Sequence, residues 1–193
     1  MVLVQPNAQN QLTSFCELMG LADKLYHANP RNPKKRMDIS NNDVQSLLKS
    51  LNKYQVKFLL VGGMAGVFHG HVRTTQDMDL WLKVGQENKQ NLIAALLENE
   101  VAGAEYLQNT PLIFGWTSVS FGQVGFELDM GYSLKAFKEA DFDTCYDRGI
   151  IAELDGVSFR VIRIEDLLKE KKTNPRPKDI SDAEELERIL KGF

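Results

Sequence analysis

Val56-Lys57-Phe58-Leu59-Leu60-Val61-Gly62-Gly63, followed after residues 64–76 by Asp77-Met78-Asp79-Leu80-Trp81-Leu82-Lys83-Val84, is the stretch whose reading decides the fold. Residues 56–61 form a short, mostly apolar run that stops at a glycine pair, the pattern of a buried strand. The second run alternates, with Met78, Leu80, Leu82 and Val84 on one face and Asp77, Asp79, Trp81 and Lys83 on the other. Asp77 and Asp79 therefore project to the same side, their Cα atoms roughly 6.5–7 Å apart at strand rise. Carboxylates so placed can converge on one divalent cation, or share two ions about 3.5–4 Å apart. Hard oxygen ligands favour Mg²⁺ or Mn²⁺ over zinc. Alone, an Asp-x-Asp pair is more simply a solvated strand edge; the upstream glycines give it a context.

Working outward, Met64, Ala65, Val67 and Phe68 predict one or two helical turns after the glycines. Before the first strand, Val44, Leu47, Leu48 and Leu51 keep a helical stripe, with Ser40, Asn41, Asn42 and Asp43 as start signals. Leu92, Ile93, Leu96 and Leu97 mark an amphipathic helix over 88–97 that returns the chain across the sheet. Residues 116–121 and 124–130 read as strands joined at Gly122-Gln123, and residues 150–154 and 157–162 flank Asp155-Gly156, a strong hairpin signal. Helices are predicted over 164–172 and 181–191, the latter opened by a Ser181-x-x-Glu184 capping box. The sum is an α+β (α/β-like) fold, a mixed sheet with flanking helices. Residues 1–38 read as an N-terminal helical arm and loop broken at Pro30 and Pro33, and residues 39–193 as one domain.

The 193 residues carry a net charge of −3, with 43% hydrophobic and 25% charged residues, a soluble globular composition. That charge argues against affinity built on bulk attraction to nucleic acid. Basic residues still cluster at Arg31, Lys34, Lys35 and Arg36, and at Lys169, Lys171, Lys172, Arg176 and Lys178. No apolar run approaches the ~20 residues that span a bilayer; with no signal-peptide pattern, a cytoplasmic location without membrane association is expected. Cys16 and Cys145 lack metal-ligand spacing and are expected as free thiols.

The strand, glycine pair, short helix and acidic strand suit a metal-bound phosphate: glycines admit close backbone approach, and a helix start offers amide groups. There is no G-x-G-x-x-G and no Gly-Lys-Ser/Thr. At these residues the chain resembles the nucleotidyltransferase superfamily, the fold of DNA polymerase β and the minimal nucleotidyltransferases. The string from Gly62 through Arg73-Thr74-Thr75-Gln76-Asp77-Met78-Asp79-Leu80 is similar to bacterial stand-alone nucleotidyltransferase-like proteins, including the abortive-infection toxin branch. Lys171 followed by Arg176-Pro177-Lys178-Asp179-x-x-Asp182 is similar to a stretch of the same family. The resemblance spans about residues 40–190.

The resemblance implies a nucleotidyltransferase fold and a third carboxylate on a later strand. Asp129 within Leu128-Asp129-Met130 fits best, with Glu127 as the other candidate. It further implies that Asp77, Asp79 and Asp129 hold Mg²⁺ or Mn²⁺ and act in catalysis. Asp129 would complete a second metal site or take the proton of the attacking hydroxyl. Gly62, Gly63, Arg73, Thr75, Lys171 and Lys178 would serve the NTP. The acceptor would be a hydroxyl on RNA, protein or a small molecule, and a toxin role would bring an antitoxin partner. Some residues have plainer readings: Arg73 in a salt bridge, the lysines on solvated helices, Asp179 and Asp182 orienting Lys171 or capping the last helix. His69 and His71 read as partly buried or surface histidines rather than zinc ligands, and Trp81 as packing rather than base stacking. The alternative function is a catalytically silent fold that binds nucleotides or proteins.

Overall fold

Asn41 caps the first described helix, its side chain accepting the Asp43 N–H at 2.8 Å, so that α1 runs Asn42–Lys53. The computed structural model describes Leu21, Ile39 and residues 41–113 and 117–192. Apart from Leu21, the expected N-terminal arm lies outside these residues, as do Cys16, the Arg31–Arg36 basic cluster and Trp116.

The order continues β1 (Phe58–Val61), α2 (Gly62–Phe68), β2 (Asp77–Leu82), α3 (Gln86–Glu98), β3 (Thr117–Phe121), β4 (Phe126–Gly131), α4 (Phe142–Arg148), β5 (Ile150–Leu154), β6 (Val157–Val161), α5 (Ile164–Lys172) and α6 (Pro177–Leu190). Short 3₁₀ turns occupy Ala104–Asn109 and Glu139–Asp141. The strands form one mixed six-stranded sheet in the order β3-β4-β2-β1-β6-β5. β1 pairs antiparallel with β2 and parallel with β6, while β2 pairs parallel with β4. The fold is α+β, a mixed sheet with flanking helices, as the alternation predicts.

Both faces of the sheet carry apolar side chains, and Leu59, Leu60, Met78, Leu80, Trp81, Leu128 and Met130 are fully buried. Helix α1 packs on α3 and β6, α2 on β1 and β2, and α5 on α2 and α6. Trp81 lies on the carboxylate face yet is sealed from any ligand. Its ring meets Phe142 edge-on at 5.4 Å and Phe137 at 5.7 Å, and its indole N–H donates to the Tyr132 carbonyl at 2.9 Å. This is the packing role, as preferred on sequence grounds.

Two boundaries differ in an instructive way. The last helix starts at Pro177 rather than Ser181, because proline at the first helical position and Asp179 as the third residue make a better start. Asp179 accepts the backbone N–H of Arg176, the capping residue, at 3.0 Å, while Ser181 sits exposed inside the helix. The β3–β4 turn spans residues 122–125, longer than the expected pair, with Gly122 and Gly125 at positive φ. At Asp155-Gly156 both residues have positive φ, the two-residue turn expected. Among the described residues, no helix is long and apolar enough to cross a membrane.

Candidate functional site

Register brings the acidic residues together. Val61, the last residue of β1, lies opposite Asp79, and Asp79 in turn lies beside Asp129 on the parallel strand β4. Neighbouring residues in register point to the same face, so the two carboxylates share that face with Asp77. Single oxygens of Asp77, Asp79 and Asp129 all lie within 4.8 Å of one another, and each residue is partly buried. Glu127, the other candidate, pairs with Asp77 in register but is exposed and outside this group. No lysine or arginine among the described residues forms an ion pair with any of the three.

Three like charges at this range repel, and Asp79 registers the strain. Burial, and then the negative charges of Asp77 and Asp129, push its carboxyl up to about 7; the Lys171 ammonium and a hydrogen bond from the Gly63 N–H work in the opposite direction. A set of carboxylates this close together, with no ion pair to any of them among the described residues, could hold a divalent cation.

The glycine pair serves these carboxylates directly. Gly62 has φ +64°, and a Cβ built on it would lie 1.8 Å from Asp79 Oδ2. At Gly63 a Cβ would lie 2.5 Å from Thr75 Oγ1 and 3.4 Å from the Arg73 guanidinium carbon. The space that a side chain would fill is thus occupied by the groups that build the acidic centre. Thr75 is buried, and its hydroxyl donates to Asp77 Oδ1 at 2.7 Å, which fixes the first carboxylate from behind. Gly62→Ala is therefore expected to displace Asp79 and to destabilise the fold by about 1–3 kcal/mol, through strain at positive φ and overpacking. A lower melting temperature together with weakened Mn²⁺ binding would bear this out; a variant that melts and binds like the native chain would contradict it.

A second, charged cluster closes the other side. Lys171 is buried and donates to Asp179 Oδ1 at 3.1 Å and pairs with Asp182 Oδ2 at 2.8 Å. Asp182 also takes Arg73 at 2.6 Å and His71 at 3.1 Å, and Asp179 takes Lys135 and Arg176, each at 3.0 Å. Burial alone would raise both carboxyls. For Asp179 the Arg176 side chain and backbone, Lys135 and Lys171 outweigh it, and for Asp182 His71, Lys171 and Arg73 do, holding both well below the usual carboxylate range. Both acids thus orient Lys171, and Asp179 caps α6 as well. His69 donates to the Ile162 carbonyl at 2.7 Å, and burial lowers its pKa. Among the described residues, neither His69 nor His71 belongs to a group of side chains close enough to hold a metal ion.

Between the two clusters lies a cleft of about 380 Å³. Gly62, Gly63, Arg73, Asp77, Asp79, Asp129, Lys171 and Lys178 all line it; Thr75 stands behind Asp77. Of the rest of the C-terminal basic cluster, Arg176 also lines the cleft, whereas Lys169 lies over the Phe137 ring at 4.3 Å and Lys172 pairs with Glu187. Sequence reasoning missed Lys135, Glu170 and Asn174, which also line the cleft. No periodic pattern marks them, because loops and helix ends carry them there.

No protein-family model matches the chain, and no curated protein matches it. Among solved structures it is similar to the crystal structure of an antigenic nucleotidyltransferase-like protein from Paracoccidioides brasiliensis. The match has 17% sequence identity and a TM-score of 0.44, covering 75% of this chain and 76% of that one.

Proposed function

We propose that the chain is a metal-dependent nucleotidyltransferase that moves a nucleoside monophosphate from an NTP onto a hydroxyl acceptor. The observation that carries this reading is the convergence of Asp77, Asp79 and Asp129 within 4.8 Å, with no ion pair to any of them among the described residues, in the lining of a cleft that also holds Lys135, Arg176 and Lys178. A structural role for such a cluster is costly, since like charges at this range destabilise the fold. In transfer, the acceptor oxygen attacks the α-phosphorus, the bond to the bridging oxygen breaks, and pyrophosphate leaves. Asp77, Asp79 and Asp129 would hold Mg²⁺ or Mn²⁺, which supplies neutralisation of the phosphate charge and a more acidic acceptor hydroxyl. Asp129 would complete a second metal site or take the acceptor's proton. Thr75 keeps Asp77 in position through its 2.7 Å hydrogen bond, and Gly62 leaves room for Asp79. Arg176 and Lys178 line the wall where a leaving pyrophosphate would sit.

The acceptor is RNA, a protein or a small molecule. A toxin role with an antitoxin partner rests on the resemblance of the Arg73–Asp79 stretch; it predicts growth arrest on induced expression, relieved by Asp77→Ala. The central reading is tested by incubating the chain with each labelled NTP, Mg²⁺ and total RNA or lysate. Label should transfer with at least one NTP and fail to transfer in Asp77→Ala and Asp79→Ala. Transfer that persists in both variants would overturn the site, and nucleotide binding without transfer would favour the catalytically silent alternative.

A further inference from the structure

The cleft's basic wall holds more positive charge than its own acids neutralise. Asp179, fully buried, carries one negative charge yet receives Lys171 on Oδ1 and both Lys135 and Arg176 on Oδ2. Lys171 is buried and shared with Asp182, so its charge is committed to joining α5 to α6. Lys135 differs. It lines the cleft with its side chain at 33% relative exposure, and among the described residues Asp179 occupies one of its ammonium's three donors.

The loop that carries Lys135 is fixed at several points. Glu170, a buried carboxylate with no ion pair among the described residues, accepts the backbone N–H of Lys135 at 3.0 Å and of Ala136 at 2.7 Å. The Leu134 N–H donates to the Phe137 carbonyl at 2.9 Å, and Phe137 packs on Trp81. A buried acid spent on two backbone amides is an expensive way to hold a surface loop. Its effect here is to fix the loop that brings one lysine to the lining of the cleft that also holds the three carboxylates.

We infer that Lys135 contacts the phosphate chain of the bound nucleoside triphosphate, and that Glu170 is the positioning residue that sets Lys135 there. This rests on the nucleotidyltransferase reading and adds a residue to it. An ammonium with two donors left over by its partners among the described residues, in the lining of the cleft that holds the three carboxylates, suits a polyphosphate as a point charge.

The test is calorimetric titration with inorganic tripolyphosphate and with NTP, each with Mg²⁺, on the full chain. Lys135→Met should weaken both ligands by about tenfold, which is about 1.4 kcal/mol, with Lys135→Arg retaining most of the affinity and exposed Lys138→Met unchanged. Glu170→Gln should weaken both ligands as well, and should add no further loss in the Lys135→Met background. If the native chain binds neither ligand, the functional reading itself fails. If the native chain binds both and Lys135→Met binds them equally well, the inference alone fails. A loss confined to NTP would place Lys135 on the nucleoside instead, also overturning the inference, and additive losses would overturn the role of Glu170. Melting curves identify a variant that fails to fold, in which case Lys135→Gln takes its place.

Discussion

Asp79→Asn is expected to abolish nucleotidyl transfer, a loss of about 10³-fold or more, while making the metal-free protein melt at a higher temperature. The loss follows from removing one of three charges that converge on a single point, where an electrostatic contributor is worth at least about 10²–10³ in rate. The gain has the opposite origin. Asp79 is pushed up to about 7, by burial first and then by Asp77 and Asp129, so in the absence of metal its ionised form strains the fold. A raised carboxyl binds its proton more tightly in the folded than in the unfolded chain. Its ionisation therefore costs stability as pH rises through about 7, and the cost is relieved as pH falls from there towards about 4. Asparagine removes the charge and keeps an acceptor for the Gly63 N–H. In the presence of a chelator, the native chain should lose this contribution to its melting temperature as pH rises from about 4 to about 7 and level off above, and Asp79→Asn should lose much less. Each kcal/mol recovered corresponds to about 2–4 °C for a chain of this size. A variant that is inactive and also less stable than the native chain at pH 8 would mean that Asp79 is a structural acid.

The second large effect lies in the opposite cluster. Asp182→Ala removes a buried carboxylate that meets Arg73, Lys171 and His71 at once, and it leaves Lys171 buried beside a single remaining acid, Asp179. Breaking a buried pair from one side costs about 3–5 kcal/mol, which is about 6–20 °C of melting temperature. The pH dependence has the reverse sign to that of Asp79. Asp179 and Asp182 are held below their ordinary values, so their contribution is complete above about pH 4 and disappears as pH falls through their folded-state values. Acid unfolding of the native chain should therefore steepen below about pH 4, and Asp182→Ala should show a shallower dependence there. Equal slopes for the two proteins would mean that the cluster contributes little. Because Asp182 also holds Arg73, beside Gly63 and Thr75, the variant should also lose activity in the fraction that remains folded.

Much of this arrangement was legible in the chain itself. Alternation over Asp77–Val84 gives β2 and its acidic face, and the apolar run before Gly62 gives β1, because strand burial writes itself into a period of two. Asp129 could be chosen from its apolar neighbours together with the family resemblance, but only its partial burial and its closeness to Asp77 and Asp79 separate it from Glu127, which the register places on the same face. The role of the glycines was half legible. Sequence suggests close backbone approach, whereas the bodies that approach here are the Asp79 carboxylate, the Thr75 hydroxyl and the Arg73 guanidinium. Asp179 and Asp182 stand three apart on one helix, so a shared face was readable; their common partner Lys171 was suspected, and Lys135 was not. Lys135 and Glu170 meet only where the loop after β4 reaches α5, and contacts formed that way leave no periodic trace. The start of α6 differs from the sequence expectation because Ser181-x-x-Glu184 imitates a helix start that Arg176, Pro177 and Asp179 form better.

The measurement closest to the central claim is direct binding of Mn²⁺, followed by its paramagnetic signal, to the native chain and to Asp129→Asn, with and without NTP. Asp129 comes from a different strand from Asp77 and Asp79, so its contribution exists only if the sheet register assembles the site. The structure predicts saturable Mn²⁺ binding by the native chain, tightened by NTP and weakened at least about tenfold in Asp129→Asn. Native protein that binds no Mn²⁺ in either condition, or an Asp129→Asn variant that binds it as tightly as the native chain, would contradict the account.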